Sequence, residues 1–171
     1  MDTFIDLATH AAPVGIGATL LLDLWALARH RLGRVPLPDY GLVGRWFAYM
    51  PRGRFRHHAI AAVPAVAGER LIGWIAHYAI GVAFAAVLLA ACGLEWLQRP
   101  TLGPPLIVGI GSVAAPFLLM QPGMGAGFFA SRTARPGAAR MRSVVTHTVF
   151  SFGLYAAGWL IHFLLPARPG G

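Results

Sequence analysis

An acidic residue stands inside an apolar segment near the start of the chain. Asp23 is the only charged residue between Ala11 and Ala28. A carboxylate near the middle of a membrane helix costs at least about 2.5 to 3.5 kcal/mol on insertion scales, so it should face the bundle interior and meet a polar partner. That partner must come from another helix at the same depth.

Two histidines are spaced to reach that depth. Arg70 precedes His77 by seven residues, and Arg140 precedes His147 by the same seven. With a rise of about 1.5 Å per residue, each histidine lies about 10 Å inward of its arginine, and Asp23 lies about 9 Å from the basic end of its own helix. The three ionisable side chains are therefore predicted to share one layer.

Further polar and sulfur side chains follow Pro116. This proline removes a backbone hydrogen bond and predicts a kink or break in its helix. Met120, Gln121 and Met124 come shortly after it. A broken helix between repeats often forms a ligand site in membrane proteins. The predicted cytoplasmic-side cluster consists of four polar residues: Asp23, His77, Gln121 and His147.

This cluster allows several functions. In transport or permeation, Asp23 would be the proton or cation site and His77 and His147 its coupling partners. Four helices are few for a transporter, so a homodimer is expected. In a structural protein, the same hydrogen bonds would only lock helix packing.

A metal or haem protein is a further alternative. Two histidines and a carboxylate suit zinc, nickel or iron, and methionine sulfur would favour copper. The metal ligands would be His77, His147, Asp23, Met120 and Met124. In a haem protein, the two histidines would be axial ligands. An enzyme is the least supported class, because the sequence has no GxSxG motif, Walker loop or close carboxylate pair, and no catalytic residue is predicted.

The elements that position these residues are long apolar segments. In 171 residues, 57% are hydrophobic and 12% are charged, which is unlike a soluble domain. Four segments each have about the length that a helix needs to cross roughly 30 Å of hydrocarbon: 11–28, 71–94, 102–120 and 144–165. The sequence predicts an all-α integral membrane protein, with residues 1–171 as a single transmembrane domain.

The distribution of charge predicts the orientation. All 14 basic residues are arginine; eight flank or fill the first loop and four the third. The positive-inside rule places these loops in the cytoplasm and both termini outside. The net charge of +8 then needs no nucleic acid partner, because the bilayer and its anionic headgroups account for it. The arginines predicted to anchor at headgroups are Arg45, Arg52, Arg54, Arg56, Arg140 and Arg142.

Two further patterns concern architecture. Residues 41–50 place apolar side chains on one side of a short helix in the first cytoplasmic loop. This pattern predicts a helix lying in the membrane interface, with Trp46 and Tyr49 at headgroup depth. The alternative is a lid packed over the cytoplasmic end of the bundle. Val14 to Thr19 reads VGIGAT and Val108 to Val113 reads VGIGSV. Together with the matched Arg-to-His spacing, this predicts a parallel repeat of two helices.

Several motifs carry a resemblance to a known family. These are GIGAT followed by Asp, the loop LVGRWFAYMPRGRF, GER before the second long helix, MQPGMG after the third and TH in the fourth. The chain resembles, over roughly residues 12–160, small bacterial integral membrane proteins known only as a domain of unknown function. The resemblance implies a location in the bacterial inner membrane and brings no activity or site residue with it.

Overall fold

The computed structural model describes residues 2–164, which form helices and connecting segments without any strand. Three long helices are continuous: α1 (Asp2–Gly33), α3 (Glu69–Cys92) and α6 (Pro136–Leu164). A fourth apolar segment, Gly103–Met124, contains α4 (Gly103–Gly111), a π-helical turn (Pro116–Met120) and α5 (Gln121–Met124). All four are long and apolar enough to cross a membrane. The prediction of an all-α chain with four such helices is confirmed for these residues.

The helices extend beyond the apolar segments from which they were predicted. α1 begins before residue 11, includes Pro13, and continues through its basic end to Gly33. α6 starts at Pro136 rather than at 144, because proline is favoured in a first turn. Hydropathy marks only the apolar part of a helix, whereas the backbone remains helical until a breaker. The predicted end at residue 165 lies outside the described residues.

The third membrane-length segment is interrupted around Pro116. α4 ends at Gly111, and the chain passes through a turn into the π-helical segment that begins with Pro116. Proline has no amide hydrogen to donate to the preceding turn, so an irregular turn at this position is expected. The interruption places Gln121 at the start of the short helix α5.

Close helix contacts in the bundle occur at small residues. Gly15 of α1 lies against the backbone of Gly81 in α3, and Gly153 of α6 lies against the backbone of Ala18. Gly109 of α4 contacts Ser151 of α6 in the same way. Small residues let membrane helices approach closely, which increases van der Waals contact. Each of these pairs of helices is antiparallel.

The first loop folds back as α2 (Tyr40–Tyr49) onto the start of α3. The Asp39 carboxylate accepts a hydrogen bond from the Gly41 amide (2.9 Å) and so caps the helix. Gly44 lies directly on the α3 backbone at Glu69 and Gly73. This arrangement corresponds to the packed-lid alternative, and we call α2 the lid helix.

Side chains fix the lid helix on the bundle. Trp46 covers Gly123 of α5 and is only 8% exposed, and its indole N–H donates to the Phe55 carbonyl (2.9 Å). Arg45 forms two parallel 2.8 Å hydrogen bonds with the Glu69 carboxylate. This bidentate geometry gives directional as well as electrostatic attachment. Arg45 therefore holds the lid helix to α3.

Candidate functional site

The Asp23 carboxylate lies in a triangle of polar atoms formed by α1, α2 and α3. His77 Nε2 is 3.0 Å from Asp23 Oδ1, and the Tyr40 hydroxyl is 3.0 Å from the same nitrogen. The Tyr40 hydroxyl also donates to Asp23 Oδ1 across 3.3 Å. The second carboxylate oxygen, Oδ2, accepts a hydrogen bond from the Tyr78 hydroxyl (3.0 Å). We call Asp23, Tyr40, His77 and Tyr78 the carboxylate cluster.

The cluster is largely enclosed by aromatic rings. The Tyr40 ring stacks on the His77 ring, with centroids 4.2 Å apart and planes inclined by 26°. Trp74 packs beside both rings. The side chains of His77 and Asp23 retain 14% and 18% of their exposure. Because little water reaches the cluster, its polar atoms depend on one another for hydrogen bonds.

Two close helix crossings assemble the cluster. The contact of Gly15 with Gly81 brings α1 and α3 together, and Asp23 lies about two turns further along α1 beside His77. Gly73 of α3 lies directly against the backbone carbonyl of Tyr40. The lid helix thus delivers a hydroxyl group to an Asp–His pair that the bundle holds.

The arrangement can hold and exchange a proton. With the His77 hydrogen assigned to Nε2, this nitrogen donates to Asp23 Oδ1. His77 Nδ1 has no hydrogen-bond partner among residues 2–164. Burial first, and then the charge of Asp23, raises the pKa of the Tyr40 hydroxyl. Tyr40 therefore stays protonated and acts as a hydrogen-bond donor.

The structure gives the other two predicted cluster residues different partners. His147 Nδ1 lies 2.6 Å from the Ser112 hydroxyl, which in turn donates to the Gly109 carbonyl (2.6 Å). Gln121 donates to Ser143 across 3.3 Å, and its buried Oε1 has no partner in the described part of the chain. Of the four residues predicted to meet, Asp23 and His77 share a hydrogen bond, while the hydrogen bonds of His147 and Gln121 go to serines.

The donor atoms do not gather as a metal site would require. Within residues 2–164, no group of three or more His, Cys, Asp or Glu side chains could hold a metal ion. The carboxylate cluster offers one imidazole and one carboxylate, while His147 pairs with Ser112. Met120 and Met124 lie on the third membrane-length segment beside Gln121. His77 and His147 thus belong to two separate hydrogen-bonded sites.

The predicted headgroup arginines have varied environments. Arg52 and Arg54 lie over the Tyr49 ring, at 5.3 and 5.5 Å from its centroid. Arg140 donates to the Phe129 carbonyl (2.8 Å). Arg142 lines a shallow groove between α1 and α6 with Trp25. Arg56 lies over the Phe128 ring, and both residues line a cavity between the first and third loops.

Sequence reasoning missed the hydroxyl groups that complete both polar sites. Tyr78 donates to the other carboxylate oxygen of Asp23. Its position directly after His77 could have indicated this contact. Tyr40 belongs to a loop helix and reaches Asp23 only because α2 folds back. No pattern in the sequence indicated that Ser112 is the partner of His147.

Comparison with known proteins identifies the family but no activity. No curated protein and no solved structure matches the chain. The family described as "Protein of unknown function (DUF2938)" matches residues 12–161, which include all four residues of the carboxylate cluster. The chain belongs to this family of proteins of unknown function.

Proposed function

We propose that the chain is a multi-pass protein of the bacterial inner membrane with both termini outside. The support is the accumulation of arginine in the first and third loops, together with four helices of membrane-spanning length. In this orientation the lid helix lies at the cytoplasmic end of the bundle. Its outer surface would lie in the membrane interface, while Trp46 and Tyr49 face the protein.

The proposed parallel repeat is supported by matching contacts in the two halves. Gly15 and Gly109 occupy the same place in VGIGAT and VGIGSV, and each lies against the outward-running helix of its own half. Their contacts, Gly81 and Ser151, each follow a histidine, His77 or His147, by four residues. In the second half, Ser112 takes the place of the acidic partner. The two halves thus share a scaffold, and only the first has a carboxylate.

The proposed activity is proton-linked permeation, with the carboxylate cluster as the proton site. The observation that carries it is the contact of Asp23 with His77 and two tyrosine hydroxyls inside a membrane-length bundle. An ionisable pair at this depth is costly and is commonly retained for ion or proton movement. Asp23 would hold the proton, His77 would pass it on, and Tyr40 would connect the site to the lid helix. We also propose that the working unit is a homodimer.

The test is proton flux into liposomes that contain the purified protein and a trapped pH-sensitive dye. A potassium gradient with valinomycin supplies the driving force. Wild-type protein should acidify the interior, and Asp23→Asn should lower the rate at least tenfold, because the amide keeps the shape but binds no proton. Size-exclusion chromatography and circular dichroism of both proteins show whether the fold is retained.

The structural alternative gives a different result. If the cluster only locks the lid helix to the bundle, wild-type protein conducts no protons above empty liposomes. In that case Asp23→Asn lowers the thermal stability and the yield of folded protein, and there is no proton flux for the substitution to change. Chemical cross-linking of the liposome-bound protein, read by mass, tests the homodimer separately.

A further inference from the structure

A cavity of about 400 Å³ opens between the first and third loops, and we call it the basic cavity. Its volume is within the range of small-molecule sites. Four of its lining residues can carry positive charge, and none is acidic: Arg56, His57, His58 and Arg132. The neutral lining is formed by Pro122, Gly127, Phe128 and Ser131.

Two loops build the cavity by packing against each other. The His57 amide donates to the Gly123 carbonyl (2.8 Å). Gly125, with φ of +98°, lies against the His58 carbonyl, where a side chain would not fit. These contacts join the PRGRFRHH segment to the MQPGMG segment. The cavity is therefore a product of tertiary structure, not of one flexible basic loop.

The wall formed by residues 127–132 is held in an unfavourable backbone conformation. Phe129 and Ala130 have φ of +52° and +57°, a region that residues with a side chain seldom adopt. Arg140 donates to the Phe129 carbonyl, and the Arg132 amide donates to the Ala126 carbonyl (both 2.8 Å). Such strain persists only where the surroundings fix it, and it is concentrated at functional sites.

The guanidinium groups in the cavity have unused donors. Neither Arg56 nor Arg132 makes a side-chain hydrogen bond or ion pair within residues 2–164, in contrast to Arg45. Arg56 lies over the Phe128 ring at 5.8 Å from its centroid. The planar fork of arginine matches the paired oxygens of phosphate. A phosphate between these two side chains would satisfy donors that the protein leaves open.

Exposed aromatic rings lie on the two segments that build the cavity, where Phe128 lines it and Phe55 and Phe129 adjoin lining residues in sequence. Phe55, Phe128 and Phe129 are 58%, 50% and 46% exposed. A soluble phosphate ligand would leave these rings in water, whereas the interfacial region of a bilayer would accept them. This combination favours an amphiphile over a free anion. We propose that the basic cavity binds the phosphate group of an anionic phospholipid in the cytoplasmic leaflet.

The lipid site rests on the membrane orientation given under the proposed function, but it does not depend on the proton site. Its test is native mass spectrometry of the full-length protein in a neutral detergent, which counts bound lipids. The probes are dioctanoyl phosphatidylglycerol, the zwitterionic dioctanoyl phosphatidylcholine, and inorganic phosphate. We expect one phosphatidylglycerol to bind each chain at least tenfold more tightly than either other probe.

Two charge-matched variants locate the binding. Arg56→Gln with Arg132→Gln should weaken phosphatidylglycerol binding at least tenfold. Arg31→Gln with Arg34→Gln removes the same charge at the end of α1, outside the cavity, and should change binding less than threefold. Equal losses in both variants would mean that only net charge matters and would overturn the site. Equal affinity for phosphate and phosphatidylglycerol would overturn the lipid as ligand in favour of a soluble phosphate compound.

Discussion

Gly73 lies where the lid helix crosses α3, and replacing it with alanine should detach Tyr40 from the carboxylate cluster. The added Cβ would overlap the Tyr40 carbonyl oxygen, its nearest neighbour, and would lie 2.6 Å from the carbonyl carbon, whereas ordinary contact begins at 3.4 Å. The two helices must therefore separate by more than about 0.8 Å at this point. The Tyr40 hydroxyl is already 3.3 Å from Asp23 Oδ1, so the same displacement would take it beyond about 4 Å. That distance is too long for a hydrogen bond.

The expected change in the free energy of unfolding follows from two opposing effects. Overpacking costs about 1 to 3 kcal/mol, while alanine in place of glycine favours a helix by at most about 1 kcal/mol. Gly73→Ala should therefore lower the free energy of unfolding in mixed SDS micelles by up to about 2 kcal/mol. Gly111→Ala is the matched control, because no atom lies within 4 Å of its new Cβ and little change is expected.

Limited trypsin digestion reports the opening of the lid helix directly. Arg45 is inside α2 and paired with Glu69, so cleavage after Arg45 requires the lid helix to open. Mass spectrometry should show faster cleavage there in Gly73→Ala than in wild-type protein or Gly111→Ala. Unchanged SDS stability together with unchanged cleavage would refute the claim that this crossing holds Tyr40 in the cluster.

Two other predictions concern the scaffold. Gly15→Ala and Gly109→Ala should each lower the free energy of unfolding in SDS micelles by up to about 2 kcal/mol, because both new methyl groups meet the facing helix and the gain in helix propensity offsets only part of that cost; a loss in only one variant would contradict the proposed repeat. Ser112→Ala removes the partner of the His147 ring nitrogen and should cost about 1 to 3 kcal/mol of stability in the same assay, whereas no loss would show that water replaces the serine hydroxyl.

The helices and part of the cluster could be predicted from the sequence because they depend on local patterns. Apolar length predicts four spans, and an isolated intramembrane acid predicts a polar partner. Counting residues from the basic ends placed His77 at the depth of Asp23, where the two side chains meet. The same counting placed His147 at that depth as well, but its side chain contacts Ser112 instead.

Depth alone does not determine which residues touch. A helix position has a direction around the helix axis as well as a height, and that direction depends on the crossings at Gly15, Gly109 and Gly153. The position of the lid helix was harder to predict than these crossings, because its return to α3 depends on Gly44 and Gly73 fitting against the facing backbone. Tyr40 could not be placed beside Asp23 without that contact.

The two histidines provide the most direct test of the proton site. Proton flux should be measured in liposomes with His77→Gln and with His147→Gln, at equal amounts of folded protein. Each histidine follows an arginine by seven residues, yet it is His77 that hydrogen-bonds to Asp23, whereas His147 is paired with Ser112. We predict that His77→Gln lowers the flux at least tenfold and that His147→Gln leaves it within twofold of wild type. Equal flux in the two variants would contradict a proton pathway through Asp23 and His77.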